Sequence, residues 1–489
     1  MEHMPLKALQ NNAAGDARFL ALILVLAAII ATAGATTLPL EEHEAFVLQT
    51  TREMHDRGDW IVPWFNGEPR LNKPPLNYWL TGATAWMSGA MDHIKPWHGR
   101  FVSMLAALAM AMFTFMAGQA LYGRRVAMLA ASFLVTSLGF FNYSHDARPD
   151  MLYAALCSAG YVAFICAWTA EQARLRICSA LLMWAAYALA TLSKGPHMPA
   201  LYLVASIVFC LLLRIPARET LRLFRPVTGL FLYAAITLPW WYLVQHQLGG
   251  NGLHGTQLGG SLLTVRFDQF FNLYYFYRPL LLVLPWLIFL PHTFLYIRHD
   301  HTRHSNDMLL ILYVMIPALV LSFGSQERWF YMLPSLPPMI ILLAAGADYL
   351  LEQRPLPDRS FRQLLCVCLA AGIIFVLAGH LHKGWSKERF EFYQLSQQAL
   401  ALMQPGMPVY TLSIYPDVYV YYLQTRIRQE DSVDAILKNL AATGHRQALV
   451  FMYTSAVDAM AKQIPSRIIY TTQAPQNKTL TLVLLNPES

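Results

Sequence analysis

Long apolar runs constrain this chain more than any other feature of its sequence. About eleven runs of roughly 17 to 22 residues occur, and each is long enough to cross a hydrocarbon core of about 30 Å. Only 13% of the 489 residues are charged, well below the roughly 25% of a soluble domain. The sequence therefore predicts an α-helical polytopic membrane protein. The predicted spans are residues 19–38, 100–121, 126–142, 151–170, 177–193, 197–213, 227–245, 278–297, 308–324, 330–350 and 363–381.

The loops between the spans differ in charge from one side of the membrane to the other. Arginine and histidine concentrate in one set of loops, which the positive-inside rule assigns to the cytoplasm. The formal net charge of +7 is spread over these short loops, so it does not indicate a nucleic-acid-binding patch. Concentrated carboxylates, isolated lysines and aromatic clusters fall on the other side. An odd number of spans then places the N-terminus inside and the C-terminal region outside.

The cysteines and the first apolar run give no sign of disulfide bonds or of cleavage. All six cysteines lie within apolar runs, and none has the spacing of a disulfide framework or a metal site. The first run, residues 19–38, is longer than the apolar part of a usual signal peptide and is followed by no small-residue cleavage site. It is predicted to be an uncleaved span.

Residues 39–98 are the most distinctive polar segment and are predicted to be a periplasmic loop of a membrane domain, residues 1–381. Apolar and charged residues alternate in a way that predicts an amphipathic helix over residues 42–57, ended by Gly58. A second helix is expected over residues 75–89, with tryptophans suited to the membrane interface. The loop would then carry two interfacial helices.

The composition changes near residue 382, and residues 382–489 are predicted to form a small periplasmic α/β domain. Helical patterns alternate there with strand-like runs. The helices are expected at residues 387–403, 432–442 and 455–463, and the strands at 408–414, 418–423, 448–453, 467–472 and 479–485. The domain has no phosphate-binding loop or nucleophile motif, which favours a structural or acceptor-docking role over catalysis.

Three carboxylates at the outer ends of spans are candidates for acid or base chemistry. Glu41 and Glu42 follow the first span, where a carboxylate can deprotonate a hydroxyl, neutralise an acceptor cation or bind a divalent metal. Asp150 lies beside Arg148 between the third and fourth spans. Each group also has an ordinary interpretation, because acidic residues favour helix N-termini and charges at span ends often mark the interface.

Isolated cations on the same side are candidates for binding a phosphate. Lys194 lies in the sequence Ser-Lys-Gly-Pro and Lys73 in Asn-Lys-Pro-Pro, on a side where the positive-inside rule predicts few lysines. Arg70 and Arg328 are further cations of this side. The alternative is that the lysines anchor the chain at the interface.

The motifs of residues 41–80 resemble a known family. They are Arg-Glu-Met, Gly-Asp-Trp, Asn-Gly-x-Pro and Lys-Pro-Pro-Leu-x-Tyr-Trp-Leu. Together they look like those of the bacterial lipid-linked-sugar glycosyltransferases related to the aminoarabinose transferase ArnT and to the protein O-mannosyltransferases. Four later motifs agree: Ala-Arg-Pro-Asp at 147–150, Ser-Lys-Gly-Pro at 193–196, Leu-Pro-Trp at 284–286 and Tyr-Met-Leu-Pro at 331–334. The resemblance covers about residues 19–350.

This resemblance implies a GT-C fold and an enzyme of the bacterial inner membrane. Such an enzyme takes a sugar from a polyprenyl (undecaprenyl) phosphate at the periplasmic face, usually with inversion, and passes it to a lipid A-type, glycan or protein acceptor. The resemblance assigns catalysis to Glu41 with Glu42, without deciding which of them acts, and to Asp150. It assigns the donor phosphate to Lys73 and Lys194, and Arg70 and Arg328 are added from their position. The residues predicted to contact substrate are Trp60, Tyr78, Trp79, Arg148 and Tyr331.

Two departures from the family pattern weigh against a bound divalent metal. Asn72 stands where many relatives have a glutamate, and Asn272 stands where a histidine is common. They also leave the sugar open, as the sequence leaves open the acceptor and the oligomeric state. A transporter or flippase of lipid-linked sugars is the main alternative, but its expected signs are charges within spans and repeated broken helices. A membrane scaffold would not explain the outer lysines and carboxylates.

Overall fold

A computed structural model describes residues 6–32, 35–249, 271–300, 303–324, 327–353, 387–472 and 479–486, with separate positions between 363 and 377. It divides into two compact units, which we call the helical unit and the sheet unit. The helical unit comprises residues 1–33, 71–80 and 100–378. The sheet unit comprises residues 34–70, 81–99 and 379–489.

The α-helices of the chain are numbered in sequence order. They are α1 (Leu6–Thr32), α2 (Glu42–Arg57), α3 (Leu76–Met87), α4 (Pro96–Tyr122), α5 (Arg124–Val135), α6 (Leu138–Ser144), α7 (Pro149–Thr169), α8 (Ala173–Lys194), α9 (His197–Leu212), α10 (Ala217–Phe224), α11 (Pro226–Gln247), α12 (Tyr274–Tyr277), α13 (Leu290–His299), α14 (His304–Leu321), α15 (Leu336–Glu352), α16 (Lys387–Leu402), α17 (Asp417–Leu423), α18 (Val433–Thr443) and α19 (Val457–Ala461). Short 3₁₀ helices cover Met91–His93, Arg278–Val283, Trp286–Phe289, Trp329–Ser335 and Thr454–Ala456.

Among the described residues, six helices are long and apolar enough to cross a membrane, or eight if each of two bent pairs counts as one span. Two shorter apolar helices, Ala17–Thr32 within α1 and His197–Leu212, fall at two further predicted spans. The polytopic helical architecture is therefore confirmed. The last predicted span, residues 363–381, is described only in part, and the count of eleven stays a prediction.

Two of the predicted spans are broken instead of continuous. Helices α5 and α6 meet at 54°, and the segment Tyr274–Val283 meets Trp286–His299 at 109°. Pro285 lies in the second break, where a proline cannot donate the hydrogen bond that would continue a helix. Apolar composition alone did not reveal either bend, because both halves of each pair are equally apolar.

Helices α7 and α8 pack closely against each other at a glycine. A Cβ atom on Gly160 would lie 2.1 Å from Cε1 of Tyr187, so a larger residue would force the two helices apart. Lipid gives helices little hydrophobic drive to associate, and close packing at small residues supplies much of the attraction instead. This contact holds together the two helices whose ends carry Asp150 and Lys194.

The sheet unit contains a five-stranded sheet in the order β4-β3-β5-β7-β6. The strand β3 runs parallel to β4 and β5, whereas β7 is antiparallel to β5 and β6. Its strands are β3 (Val409–Leu412), β4 (Ile427–Glu430), β5 (Ala448–Tyr453), β6 (Ser466–Thr471) and β7 (Leu480–Leu485), and a separate hairpin is formed by β1 (Trp64–Phe65) and β2 (Glu68–Pro69). Alternate residues of β3 and β5 enter separate buried clusters, as expected of a sheet covered on both faces.

One predicted strand is wrong, and one strand was missed. Residues 418–423 form the helix α17. Almost every side chain of this short run is buried, so it shows no polar face from which a helical period could be read. The missed strand is β4, of which only Ile427 is fully buried, because polar side chains occupy the rest of this edge strand.

The two units do not follow the predicted division of the chain at residue 382. Leu40, Ala45 and Leu48 of the predicted periplasmic loop share a buried cluster with Val418 and Tyr421. These side chains are more than 350 positions apart in the sequence, so the joint core was not visible from local patterns. Residues 34–70 and 81–99 therefore belong with residues 379–489 in one compact unit.

Candidate active site

In the helical unit, two helix ends bring the predicted residues Asp150 and Lys194 together. Helix α7 begins with Arg148 as N-cap and Pro149 in its first turn, a position that proline favours. Asp150 follows in the same turn, where the helix dipole favours a carboxylate. Helix α8 ends at Lys194, and Gly195 has a φ of +117°, which few other residues adopt.

Asp150 accepts hydrogen bonds from two cations. Lys194 Nζ donates to Asp150 Oδ1 in a short contact, and Arg148 Nε donates to Asp150 Oδ2 at 3.0 Å. All three side chains are buried, with exposures of 4% for Asp150, 4% for Lys194 and 9% for Arg148. Buried charges are costly unless they are paired, and here one carboxylate holds two cations in fixed positions.

Aromatic rings surround these cations. Lys194 Nζ lies 4.8 Å from the ring centroid of Tyr331 and 5.1 Å from that of Phe330. The guanidinium of Arg148 lies 5.1 Å from Phe330 and 5.5 Å from Tyr143. Ring faces attract cations and limit the access of water. The predicted contact residues Arg148 and Tyr331 are thus brought to the same place as Lys194.

A tyrosine fixes the turn that follows Lys194. Tyr153 Oη donates to the Gly195 carbonyl at 2.9 Å and accepts from the Met198 amide at 3.0 Å. It also lies 3.2 Å from Nδ1 of His197. Tyr153 and His197 were not predicted from the sequence, because nothing local distinguishes a tyrosine within an apolar span from an ordinary core residue.

Lys73 and Arg328 add positive charge to this part of the helical unit. Lys73 is half-buried, and its charge acts on Asp150 and on His197. Arg328 is exposed, and its charge acts on Lys194. We call Lys73, Arg148, Asp150, Lys194 and Arg328 the basic cluster. Its four cations outnumber its single carboxylate, so it is suited to bind an anion such as a phosphate.

The other predicted residues lie on α3 or in the sheet unit. Tyr78 is 1% exposed and Trp79 is half-buried, and both belong to the helical unit. Trp60 belongs to the sheet unit, where its indole lies over Gly82. Arg70 also belongs to the sheet unit, and its guanidinium lies 4.0 Å from the ring centroid of Phe46. Arg70 and Lys73 thus belong to different compact units, and the role of Arg70 at the donor phosphate stays a prediction.

Glu41 and Glu42 begin helix α2 of the sheet unit. Glu41 is its N-cap and forms a capping box with Glu44; its carboxylate also accepts from the His43 amide and contacts His43 Nδ1, each at 2.8 Å. Glu42 is exposed in the first turn. The ordinary interpretation of an acidic helix start therefore applies to Glu41.

Asp417 is an acidic residue of the sheet unit that the sequence did not single out. It lies in the first turn of α17, and burial together with the charges of Glu42 and Glu41 raises its pKa to about 8, against the opposing charge of Arg70. The only local signal is the pair Pro416 and Asp417 at a helix start. Its acidic neighbours lie far away in the sequence and could not have been foreseen.

We expect Asp417→Asn to stabilise the sheet unit at alkaline pH. The folded-state pKa lies above the ordinary value of 3.8, so the stabilisation from protonated Asp417 is complete below about pH 4 and is lost as the pH rises through about 8. One pKa unit corresponds to about 1.4 kcal/mol, and we expect at least that gain at pH 8.5. Amide hydrogen exchange of the sheet at pH 5 and 8.5 measures it.

The matched control for this prediction is Asp434→Asn, because Asp434 is an exposed aspartate in the first turn of another helix, α18. The stability of the Asp434→Asn variant should depend on pH in the same way as that of the wild-type protein. An Asp417→Asn variant that loses stability between pH 5 and pH 8.5 as steeply as wild type would contradict the prediction.

The residues present do not fit a divalent metal. Within the part of the chain that the structure describes, no group of three or more His, Cys, Asp or Glu side chains is arranged to hold a metal ion. Asn272 instead donates through Nδ2 to Glu327 and accepts from the Tyr274 amide at 2.8 Å.

A family model described as dolichyl-phosphate-mannose-protein mannosyltransferase matches residues 72–243. Among curated proteins, the chain is 25% identical over 347 residues to the undecaprenyl phosphate-alpha-4-amino-4-deoxy-L-arabinose arabinosyl transferase of Pectobacterium carotovorum, covering 68% of this chain and 61% of the relative. It is 26% identical to the Edwardsiella ictaluri protein of the same name, covering 66% of this chain and 58% of the relative. The chain thus spans about three fifths of the length of these relatives.

Solved structures with a similar fold include ArnT from Cupriavidus metallidurans. Its apo state has a TM-score of 0.73 at 17% identity, with 96% of this chain and 98% of that chain covered. The form bound to undecaprenyl phosphate has a TM-score of 0.71 at 16% identity, with coverages of 95% and 97%. The range that the family model matches, residues 72–243, contains Lys73, Asp150 and Lys194. The resemblance inferred from the motifs is confirmed: the chain is similar in sequence and in fold to the ArnT-like glycosyltransferases.

Proposed function

We propose that this protein is a membrane glycosyltransferase that transfers a sugar from a polyprenyl phosphate to an acceptor. The observation that carries the proposal is the basic cluster, in which Asp150 fixes two buried cations and further cations lie nearby. The family description and the names of the relatives both specify a sugar donor linked to a polyprenyl phosphate. When such a donor gives up its sugar, the polyprenyl phosphate is released as an anion. The basic cluster is suited to bind the phosphate group of that anion.

The cluster would act on the bond between the sugar and the phosphate. In the transfer, the bond between the anomeric carbon and the phosphate oxygen breaks, and its electron pair stays on the phosphate. Lys194 and Lys73 would balance the negative charge that develops there, and charge stabilisation of this kind is often the largest contribution to catalysis. Because aromatic rings exclude water around Lys194, its charge would be screened weakly.

The acceptor hydroxyl must lose its proton as it bonds to the anomeric carbon. We propose, from the resemblance of the motifs, that the acidic pair of Glu41 and Glu42 supplies the base. Asp150, which the resemblance made a catalytic residue, is better suited to position Lys194 and Arg148. A carboxylate that holds two cations is a weak base, since protonation would break both pairs.

The position in the membrane is part of the same proposal. With eleven spans, the arginine-rich loops would face the cytoplasm, and the acidic pair, the basic cluster and residues 382–489 would face the periplasm of a bacterial inner membrane. The donor would be undecaprenyl phosphate carrying a pentose or a hexose. The names of the relatives make 4-amino-4-deoxy-L-arabinose the first sugar to test. The resemblance of the motifs makes a lipid A-type molecule the first acceptor to test, followed by a glycan or a protein.

We expect Tyr153→Phe to lower the turnover rate about fivefold to tenfold, with a smaller change in KM for the donor. The substitution removes the hydroxyl that bonds Gly195 and Met198 and so loosens the turn after Lys194, at a cost of about 1 to 1.5 kcal/mol. Tyr161→Phe is the control, since Tyr161 is equally buried and its hydroxyl bonds only Ser158 in the contacts described. Equal rates for the two variants would contradict a positioning role for Tyr153.

The experiment that tests the proposed function is mass spectrometry of lipid A, envelope glycans and envelope proteins from cells with and without the gene. The deletion strain is complemented with wild type, with Glu41→Ala/Glu42→Ala or with Glu68→Ala, a surface glutamate of the same loop. We expect one sugar to disappear on deletion and to return with wild type and Glu68→Ala only. An unchanged sugar content of lipids, glycans and envelope proteins would refute the proposal.

A further inference from the structure

A cavity of about 460 Å³ opens at the edge of the sheet, next to strand β4. Its walls come from the end of α16, the loop that leads to β3, the start of β4 and the end of α18. All of these segments belong to the sheet unit. The volume falls in the range of small-molecule sites and would accommodate one or two sugar rings.

The cavity has a positively charged wall. Arg426, Arg428 and His445 line it, and the described lining residues include no Asp or Glu. Arg426 contacts Glu68 outside the lining at 2.7 Å, and both of these side chains are largely exposed. An exposed pair of this kind is weak, so Arg426 can turn its remaining donors to a ligand. Two guanidiniums in one cavity are suited to a phosphate, which they bind through paired hydrogen bonds.

Another part of the lining is apolar and carries no aromatic ring. Met403, Met407 and Pro408 form it, and the described lining residues include no Trp, Tyr or Phe. A nucleobase is usually recognised by stacking on such rings, so a nucleotide is disfavoured. The flexible thioethers of methionine fit irregular apolar surfaces, such as the C–H face of a pyranose.

We propose that this cavity binds a phosphorylated sugar, with the phosphate on Arg426 and Arg428 and the ring against Met403 and Met407. The cavity shares no residue with the basic cluster, because all of its lining residues belong to the sheet unit. The proposal does not depend on the transfer reaction. The ligand would be either a soluble sugar phosphate or the phosphorylated sugar headgroup of a lipid, which present the same chemistry to the cavity.

The test is isothermal titration calorimetry of the full chain in nanodiscs with N-acetylglucosamine 1-phosphate as the probe. N-acetylglucosamine and inorganic phosphate are titrated in parallel. We expect the sugar phosphate to bind at least tenfold more tightly than either fragment, because each fragment contacts only one wall. Binding of inorganic phosphate as tight as that of the sugar phosphate would overturn the assignment of a sugar.

Two substitutions of Arg428 and one control locate the binding. Arg428 is exposed, so the Arg428→Gln variant is expected to fold normally. We expect it to bind the sugar phosphate at least tenfold more weakly than wild type. Arg428→Lys keeps the positive charge but cannot form the paired hydrogen bonds of a guanidinium. Its affinity for the sugar phosphate should lie between those of wild type and Arg428→Gln. The control is Arg467→Gln, an exposed arginine of β6 at the opposite edge of the sheet. Unchanged affinity in Arg428→Gln would overturn the proposal.

A competition arm distinguishes the two sources of the ligand. If the site binds a lipid headgroup, lipid A in the nanodiscs should displace the probe. If the site binds soluble sugar phosphates, the probe should stay bound in the presence of lipid A. Transfer activity is measured in the same preparations, and we expect Arg428→Gln to retain it when donor and acceptor are saturating. Loss of probe binding with retained transfer therefore separates this proposal from the proposed function.

Discussion

Replacing Lys194 by methionine is expected to lower the rate of sugar transfer by about a hundredfold to a thousandfold, the usual effect of removing one donor that stabilises developing negative charge. Methionine keeps an apolar stem of similar length but carries no ammonium. Lys194 is only 4% exposed, so water cannot easily replace the lost charge. The initial rate with a purified polyprenyl-phosphate sugar in nanodiscs, corrected for the amount of folded protein, measures the effect.

The same substitution should also reveal how Asp150 is used. Removing Lys194 leaves the buried carboxylate with Arg148, and breaking a buried pair from one side costs about 3 to 5 kcal/mol. The double variant Asp150→Asn/Lys194→Met removes both of these charges and should recover part of the stability without recovering the rate. The recovery is only partial because Arg148 also loses its bond to the Asp150 carboxylate. Recovery of the rate along with stability would show that Lys194 serves only the fold.

The control for Lys194 is Lys438→Met, since Lys438 is an exposed lysine on α18 of the sheet unit. We expect it to transfer sugar at the wild-type rate. A Lys194→Met variant that is folded and transfers at the rate of Lys438→Met would contradict the assignment of Lys194 to the donor phosphate.

Glu44→Ala is expected to destabilise the sheet unit by about 3 to 5 kcal/mol. Glu44 Oε2 lies 3.3 Å from Arg389 Nη1, and the side chains are 0% and 4% exposed. The pair joins helix α2 of the predicted loop to helix α16 of the C-terminal region, which are 345 positions apart. Losing the carboxylate leaves a buried guanidinium without this partner. Hydrogen exchange of amides in α2 and the sheet measures the change in unfolding free energy.

A surface ion pair of the same unit provides the comparison. Glu68 lies 2.7 Å from Arg426, with side chains 70% and 64% exposed. Exposed pairs contribute about 0 to 1 kcal/mol, so Glu68→Ala should change the exchange of the sheet amides little. If Glu44→Ala and Glu68→Ala lowered the unfolding free energy of the sheet unit equally, the buried pair would not be what stabilises the unit.

Much of the candidate site could be read from the sequence. Asp150, Arg148 and Lys194 stand at the ends of apolar runs, where charged residues are easily recognised, and the structure brings them into contact. The ends of α2 were also predicted closely, because Gly58 stops the helix and an acidic start favours it. These features depend on residues that are neighbours along the chain or lie at boundaries between apolar and polar segments.

The roles of other candidate residues could not be predicted from sequence patterns. Tyr153 is one tyrosine among many in apolar spans, and only the fold shows that its hydroxyl bonds the turn after Lys194. The raised pKa of Asp417 depends on Glu41 and Glu42, which lie more than 370 positions away. The prediction that Arg70 joins the donor-binding lysines rests on its closeness in sequence to Lys73 and stays a prediction, because the two residues belong to different compact units.

The sequence by itself determined the membrane-spanning helices and the chemical types of the candidate residues, because hydrophobicity and charge act over a few turns of one segment. Only the tertiary structure decided that α5 is bent away from α6, that residues 418–423 are helical and that the opening loop shares a core with the C-terminal region. Those outcomes depend on which surfaces meet across hundreds of residues. Contacts between distant segments cannot be predicted from the hydrophobic periodicity of either segment alone.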